Sequence, residues 1–105
     1  MGLSIKLLAD GILPTTVGVL YTVPGGSQTI VKTIKVVNVG SVTSVNMYVN
    51  SGAGDRHIVP SNLVLTSGSM FVSSDTMTLE TGDAISGDAT VSGTVDYTIF
   101  GVENT

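Results

Sequence analysis

His57 is the only histidine of the chain, and Asp55 and Arg56 directly precede it. A Ser-His-Asp or Cys-His relay would have to be built around that single imidazole, and the absence of cysteine removes the thiol version. Alternation along a strand puts Asp55 on the side of His57, yet the sequence around them reads as a loop histidine with incidental charged neighbours. Asp75, Glu80, Asp83, Asp88 and Asp96 are the other candidates for chemistry, as carboxylates for a hard cation. They lack Asp-x-Asp-x-Asp spacing, and Glu80 to Asp83 is better explained as a turn and Asp88 as a loop. Gly25-Gly26 precedes a strand and not a helix N-terminus, so it does not form a phosphate loop. No catalytic residue, no cofactor and no metal site is expected. Tyr21, Tyr48, Tyr97, Phe71 and Phe100 are the whole aromatic set. Once a core has taken its share, too few remain for a broad sugar-stacking platform. Tyr48 is the one expected on an outward face, as a cross-strand partner or a contact to protein or glycan.

The elements that would position these residues are strands. β-branched residues dominate, and Gly or Pro recurs too often for a long helical stripe. Turn signals every eight to twelve residues predict an all-β protein, an antiparallel β-sandwich of jelly-roll or Ig-like type with about eight short strands. Pro24-Gly25-Gly26 marks a turn between Val17–Val23 and a long strand over Thr29–Val39. In that strand Ile30, Ile34 and Val36 fall on one face, and Val31, Thr33, Lys35, Val37 and Val39 on the other. Two partly apolar faces predict an interior strand, with Lys32 near a sheet edge where its ammonium reaches water. Val45, Met47 and Val49 alternate with polar residues, as in a half-buried strand. Val95, Tyr97 and Ile99 oppose Thr98, Phe100 and Val102 in the closing strand. Residues 1–16 are read as an N-terminal arm or first strand, and 17–105 as one sandwich domain.

The chain has 105 residues, which suits one domain with one core. Charged residues are 11% of it, less than half the usual ~25%. Ser, Thr, Gly and Asn supply the polar surface, and such a surface carries little charge repulsion against a docking protein. Eight acidic against four basic residues give a net charge of -4, which disfavours nucleic acid and anionic membranes. Neither a membrane span nor a cleaved signal is indicated, and the absence of cysteine rules out disulfides.

Several stretches together resemble small tailed-bacteriophage virion proteins of the head-decoration or capsid-associated β-sandwich type. They are Leu13-Pro14-Thr15-Thr16-Val17-Gly18, Leu20-Tyr21-Thr22-Val23-Pro24-Gly25, Ile30-Val31-Lys32-Thr33-Ile34, Val37-Asn38, Leu79-Glu80-Thr81-Gly82-Asp83, and Asp96-Tyr97 through Gly101-Val102-Glu103. The resemblance implies a non-enzymatic virion structural protein, a capsid decoration or cement protein that binds the assembled head lattice. It further implies the major capsid protein or another virion protein as partner, a homo-oligomer with a trimer favoured, and residence in the virion after assembly in the host cytoplasm. A tail, fibre-base or head-tail joining component and a host-glycan binding module are the alternatives. The expected contacts are Lys6, Leu7 and Leu8 in the arm, with Tyr48, and Asp55, Arg56 and His57 at a tip spanning residues 50–57. The apolar arm residues would fill a neighbour's groove or extend its sheet.

Overall fold

The computed structural model describes residues 2–51, 54–74 and 76–104. Two residues of the expected tip, Gly52 and Ala53, and the candidate carboxylate Asp75 lie outside the described residues. The described chain is all-β, with ten strands: β1 (Leu3–Ile12), β2 (Gly18–Thr22), β3 (Gln28–Asn38), β4 (Thr43–Asn50), β5 (Asp55–His57), β6 (Leu63–Leu65), β7 (Met70–Ser73), β8 (Met77–Leu79), β9 (Ala84–Ala89) and β10 (Val95–Asn104). They form two antiparallel five-stranded sheets packed as a sandwich. Sheet A runs β1-β10-β3-β7 with β8 also on β3, and sheet B runs β2-β9-β4-β5 with β6 also on β4.

The count of ten is compatible with a fold of eight strands, because two edge strands are each broken in two. β5 and β6 pair with the two ends of β4, and β7 and β8 with the two ends of β3. With each half-pair counted once, successive strands switch sheets except between β4 and the β5–β6 strand, which pair in sheet B, and the orders 1-10-3-7 and 2-9-4-5 are those of a jelly roll. Pro60 interrupts the first broken strand, since it has no N–H to give a ladder. Asn46 mends that ladder from the side: its Oδ1 accepts from the Asn62 backbone N–H at 2.9 Å, and its Nδ2 donates to Asp88 Oδ1 at 3.0 Å.

Val31, Ile34, Val36, Val45, Met47, Ile85, Val95 and Ile99 are buried between the sheets. Each contributes about 1.5–3 kcal/mol relative to exposure. The alternation read from β4 and β10 is the one observed, with Val45 and Met47 inward, and Val95, Tyr97 and Ile99 inward. In β3 the reading needs correcting. Phe100 lies opposite Thr33 while Gly101 lies opposite Val31, so Lys32 is an extra residue in a β-bulge. The bulge shifts the phase: Thr29 and Val31 point inward before it, Ile34 and Val36 after it, and Ile30 is turned to the outer face. Lys32 therefore meets water on an interior strand, at the bulge and not at a sheet edge.

A second bulge faces the first across β10. Leu7 pairs with Phe100 and Ala9 with Ile99, which leaves Leu8 as the extra residue of β1. Gly101 sits beside both bulges, where a Cβ would overlap the Ile30 carbonyl oxygen and press on Leu8 Cδ1. Its glycine identity is set by this close approach of three strands. The Pro24-Gly25-Gly26 turn forms as read: the Ser27 N–H donates to the Pro24 carbonyl at 3.1 Å, and Gly26 takes a φ of 77°.

Candidate functional site

The outer face of sheet A is apolar near the N-terminal half of β1. Register places Ile5 beside Val102 and Val102 beside Ile30, while Leu3 lies beside Asn104 and Leu7 beside Phe100. Leu3 and Ile5 are the most open, at 72% and 89% exposure. A hollow of about 280 Å³ lies in this face, lined by Ile5, Lys6, Lys32, Phe100, Gly101 and Val102. The facing bulges create it, because they kink β1 and β3 on either side of Phe100.

The inner side of the same strand pair carries a polar lock. Lys6 points inward, and its Nζ lies 2.6 Å from Glu103 Oε1. The Tyr21 hydroxyl donates to Glu103 Oε2 at 2.6 Å and is 2.8 Å from Thr29 Oγ1. The phenol has one proton, which goes to the carboxylate, so the Thr29 hydroxyl donates to the phenol oxygen. Lys6 and Tyr21 hold the Glu103 carboxyl below its ordinary value against the opposing effect of burial. Burial foremost, and the bond to Glu103 next, push the Tyr21 phenol up to about 12. The lock ties β1, β10 and β3 of sheet A to β2 of sheet B.

The outer face of sheet B mixes polar side chains with the exposed valines Val19 and Val64. Tyr48 and His57 are cross-strand neighbours with ring centroids 4.8 Å apart and planes tilted by 54°. Partial burial, then the Asp88 and Asp55 carboxylates, raise the Tyr48 phenol. Asp55 Oδ1 accepts from Asn50 Nδ2 at 3.1 Å, and both residues line a hollow of about 240 Å³ with Val17, Val19, Ala84 and Ser86. Ser86 is paired with Tyr48, so Tyr48 stands between Ser86 and His57. Two strand spacings, about 10 Å, separate serine from imidazole, and no Ser-His relay forms there. Among the described residues no group of three or more His, Asp or Glu is placed to hold a metal ion.

The seven residues singled out in the sequence thus fall into two groups on different sheets. Lys6 and Leu8 turn into the molecule, the first to Glu103 and the second against the core, while Leu7 faces outward. Tyr48, Asp55, Arg56 and His57 gather on β4 and β5 of sheet B, with Arg56 exposed opposite Val49. The outer-face residues Leu3, Ile5, Ile30, Phe100 and Val102 were not singled out. The signal for two of them, Leu3 and Ile5, is present in the alternation of Leu3, Ile5 and Leu7 with Ser4 and Lys6.

This two-sheet arrangement has a counterpart among solved structures. The chain superposes on a chain of the acidic stable capsid structure of Helicobacter pylori bacteriophage KHP30 with a TM-score of 0.53. The match covers 96% of this chain and 86% of that one at 13% sequence identity. At that identity the likeness is one of fold. No protein-family model and no curated protein matches the chain.

Proposed function

We propose that the protein is a capsid-associated structural component of a phage virion, a decoration or cement protein that binds the assembled head lattice. The observation that carries this reading is the likeness of fold, along 96% of the chain, to a chain of a phage capsid. The exposed apolar face of sheet A supports it, because a small domain with few charges and an open apolar sheet face is suited to docking on protein. The partner is then the major capsid protein or another virion protein, met in the host cytoplasm during assembly. Binding needs no single strong contact. Sites repeated on a lattice raise the effective concentration of neighbouring copies, so linked weak contacts give high occupancy.

The test is the copy number in purified particles of the source phage, by quantitative mass spectrometry against the major capsid protein. A number equal to the capsid subunit, or a simple fraction of it, is the expected result. A handful per particle moves the protein to a tail, fibre-base or head-tail joining position. Absence from particles overturns the virion reading.

A further inference from the structure

β1 is a ten-residue edge strand that, among the described residues, pairs only with β10, so its other edge is open there. Proteins usually guard such an edge with proline, an early bulge or a charge that obstructs pairing. β1 has no proline, and its bulge at Leu8 comes only after a regular run from Leu3 to Leu7. The one cation of that run, Lys6, is neutralised by Glu103.

The run Leu3-Ser4-Ile5-Lys6-Leu7 is also symmetric in chemistry about Ile5. Laid antiparallel against itself with Ile5 on the axis, it sets Leu3 against Leu7, Ile5 against Ile5, and Ser4 against Lys6. Apolar side chains meet on the outer face, and a hydroxyl meets the ammonium on the inner one. No two like charges are opposed, and Asp10 of each copy falls beyond the paired run.

We propose that two copies of this chain associate about a two-fold axis at Ile5, β1 against β1, joining two five-stranded sheets into one of ten strands. The paired edges cover roughly 800 to 1,000 Å² in total, the low end for specific association, so the dimer is a weak one. An isologous edge closes at two copies, in contrast to the trimer implied by the sequence resemblance. The pairing leaves Phe100, Val102 and Ile30 open on the joined face, and doubles the apolar surface available to a further partner. It concerns the purified protein alone and stands or falls separately from the capsid reading.

The test is sedimentation velocity of the purified chain up to about 100 μM, above the dissociation constant expected of an interface this small. The expected result is a reversible step from 10.7 kDa to twice that mass. Ile5→Lys places two ammoniums on the axis and weakens association by about tenfold or more, with circular dichroism unchanged because Ile5 packs in no core. Val64→Lys, at an exposed valine of sheet B, leaves the dimer intact. The chain has no cysteine, so Ile5→Cys adds a single thiol, and mild oxidation links it to its copy in a disulfide dimer. A monomer at every concentration, a trimer, or a dimer indifferent to Ile5→Lys overturns the proposal.

Discussion

The Tyr21 hydroxyl of sheet B donates to Glu103 Oε2 of sheet A across 2.6 Å, a side-chain bond that joins the two layers of the sandwich. The carboxylate is 6% exposed and takes the Lys6 ammonium on its other oxygen. Tyr21→Phe keeps the ring and removes the donor. The expected cost is about 1–2 kcal/mol, because a buried carboxylate is left with one partner fewer. Urea unfolding should show a lower midpoint with an unchanged slope.

The same lock gives stability a two-sided pH dependence. Glu103 has a lowered value in the fold, so its contribution is complete above the ordinary glutamate value of about 4.3 and is lost as pH falls below that. Tyr21 has a raised value, so its contribution is complete below the ordinary tyrosine value and is lost as pH rises from 10.0 toward about 12. Thermal melts of the wild type should fall at both ends. Glu103→Gln should flatten the acid limb, and Tyr21→Phe the alkaline one.

Gly101→Ala should be among the most damaging single-methyl additions, at about 3 kcal/mol or more, because the methyl overlaps the Ile30 carbonyl oxygen in a backbone that two bulges already constrain. Gly25→Ala is the control. Nothing lies near its added Cβ, and a change within about 0.5 kcal/mol is expected. Denaturant titration of the two variants decides it.

Asn38 is fully buried, and the two N–H donors of its Nδ2 are shared among the carbonyls of Ser41, Leu65 and Thr66 at 2.7, 2.9 and 3.2 Å. Its Oδ1 accepts from the Gly40 N–H at 3.0 Å. One side chain thus pins the β3–β4 turn to the segment after β6. Asn38→Ala should cost about 3 kcal/mol by leaving these groups unpartnered. Asn38→Asp should cost more at pH 7 than at pH 3, since a carboxylate there faces carbonyl oxygens that it repels. Chemical denaturation at the two pH values checks the order.

Much of the fold was legible because period-two alternation survives wherever a strand is regular. Val45 and Met47, and Val95, Tyr97 and Ile99, announce their face in the sequence and keep it in the structure. Lys32 shows where the signal fails. A bulge inserts one residue and reverses the phase, and nothing in Ile30-Val31-Lys32-Thr33-Ile34 marks it, because it shows only in the register against β10, beside Gly101. Lys6 shows a second limit. An exposed lysine and a partner ninety-odd positions away in sequence carry no local sign of each other, so its inward turn to Glu103 was not legible. The broken edge strands were half visible: Pro60 marks one interruption, but its repair by Asn46 depends on tertiary placement.

The position of β10 has a consequence for how the chain folds. It lies between β1 and β3, so sheet A has no centre until residues 95–104 have been synthesised. The early strands emerge from the ribosome with their main partner absent, and their pairing spans nearly the length of the chain. Folding of this sheet therefore waits on β10 and is slow for a domain of this size, dominated by loop closure. During that interval β1 and β3 both present unpaired apolar edges, which makes the nascent protein dependent on rapid capture by β10 to avoid aggregation.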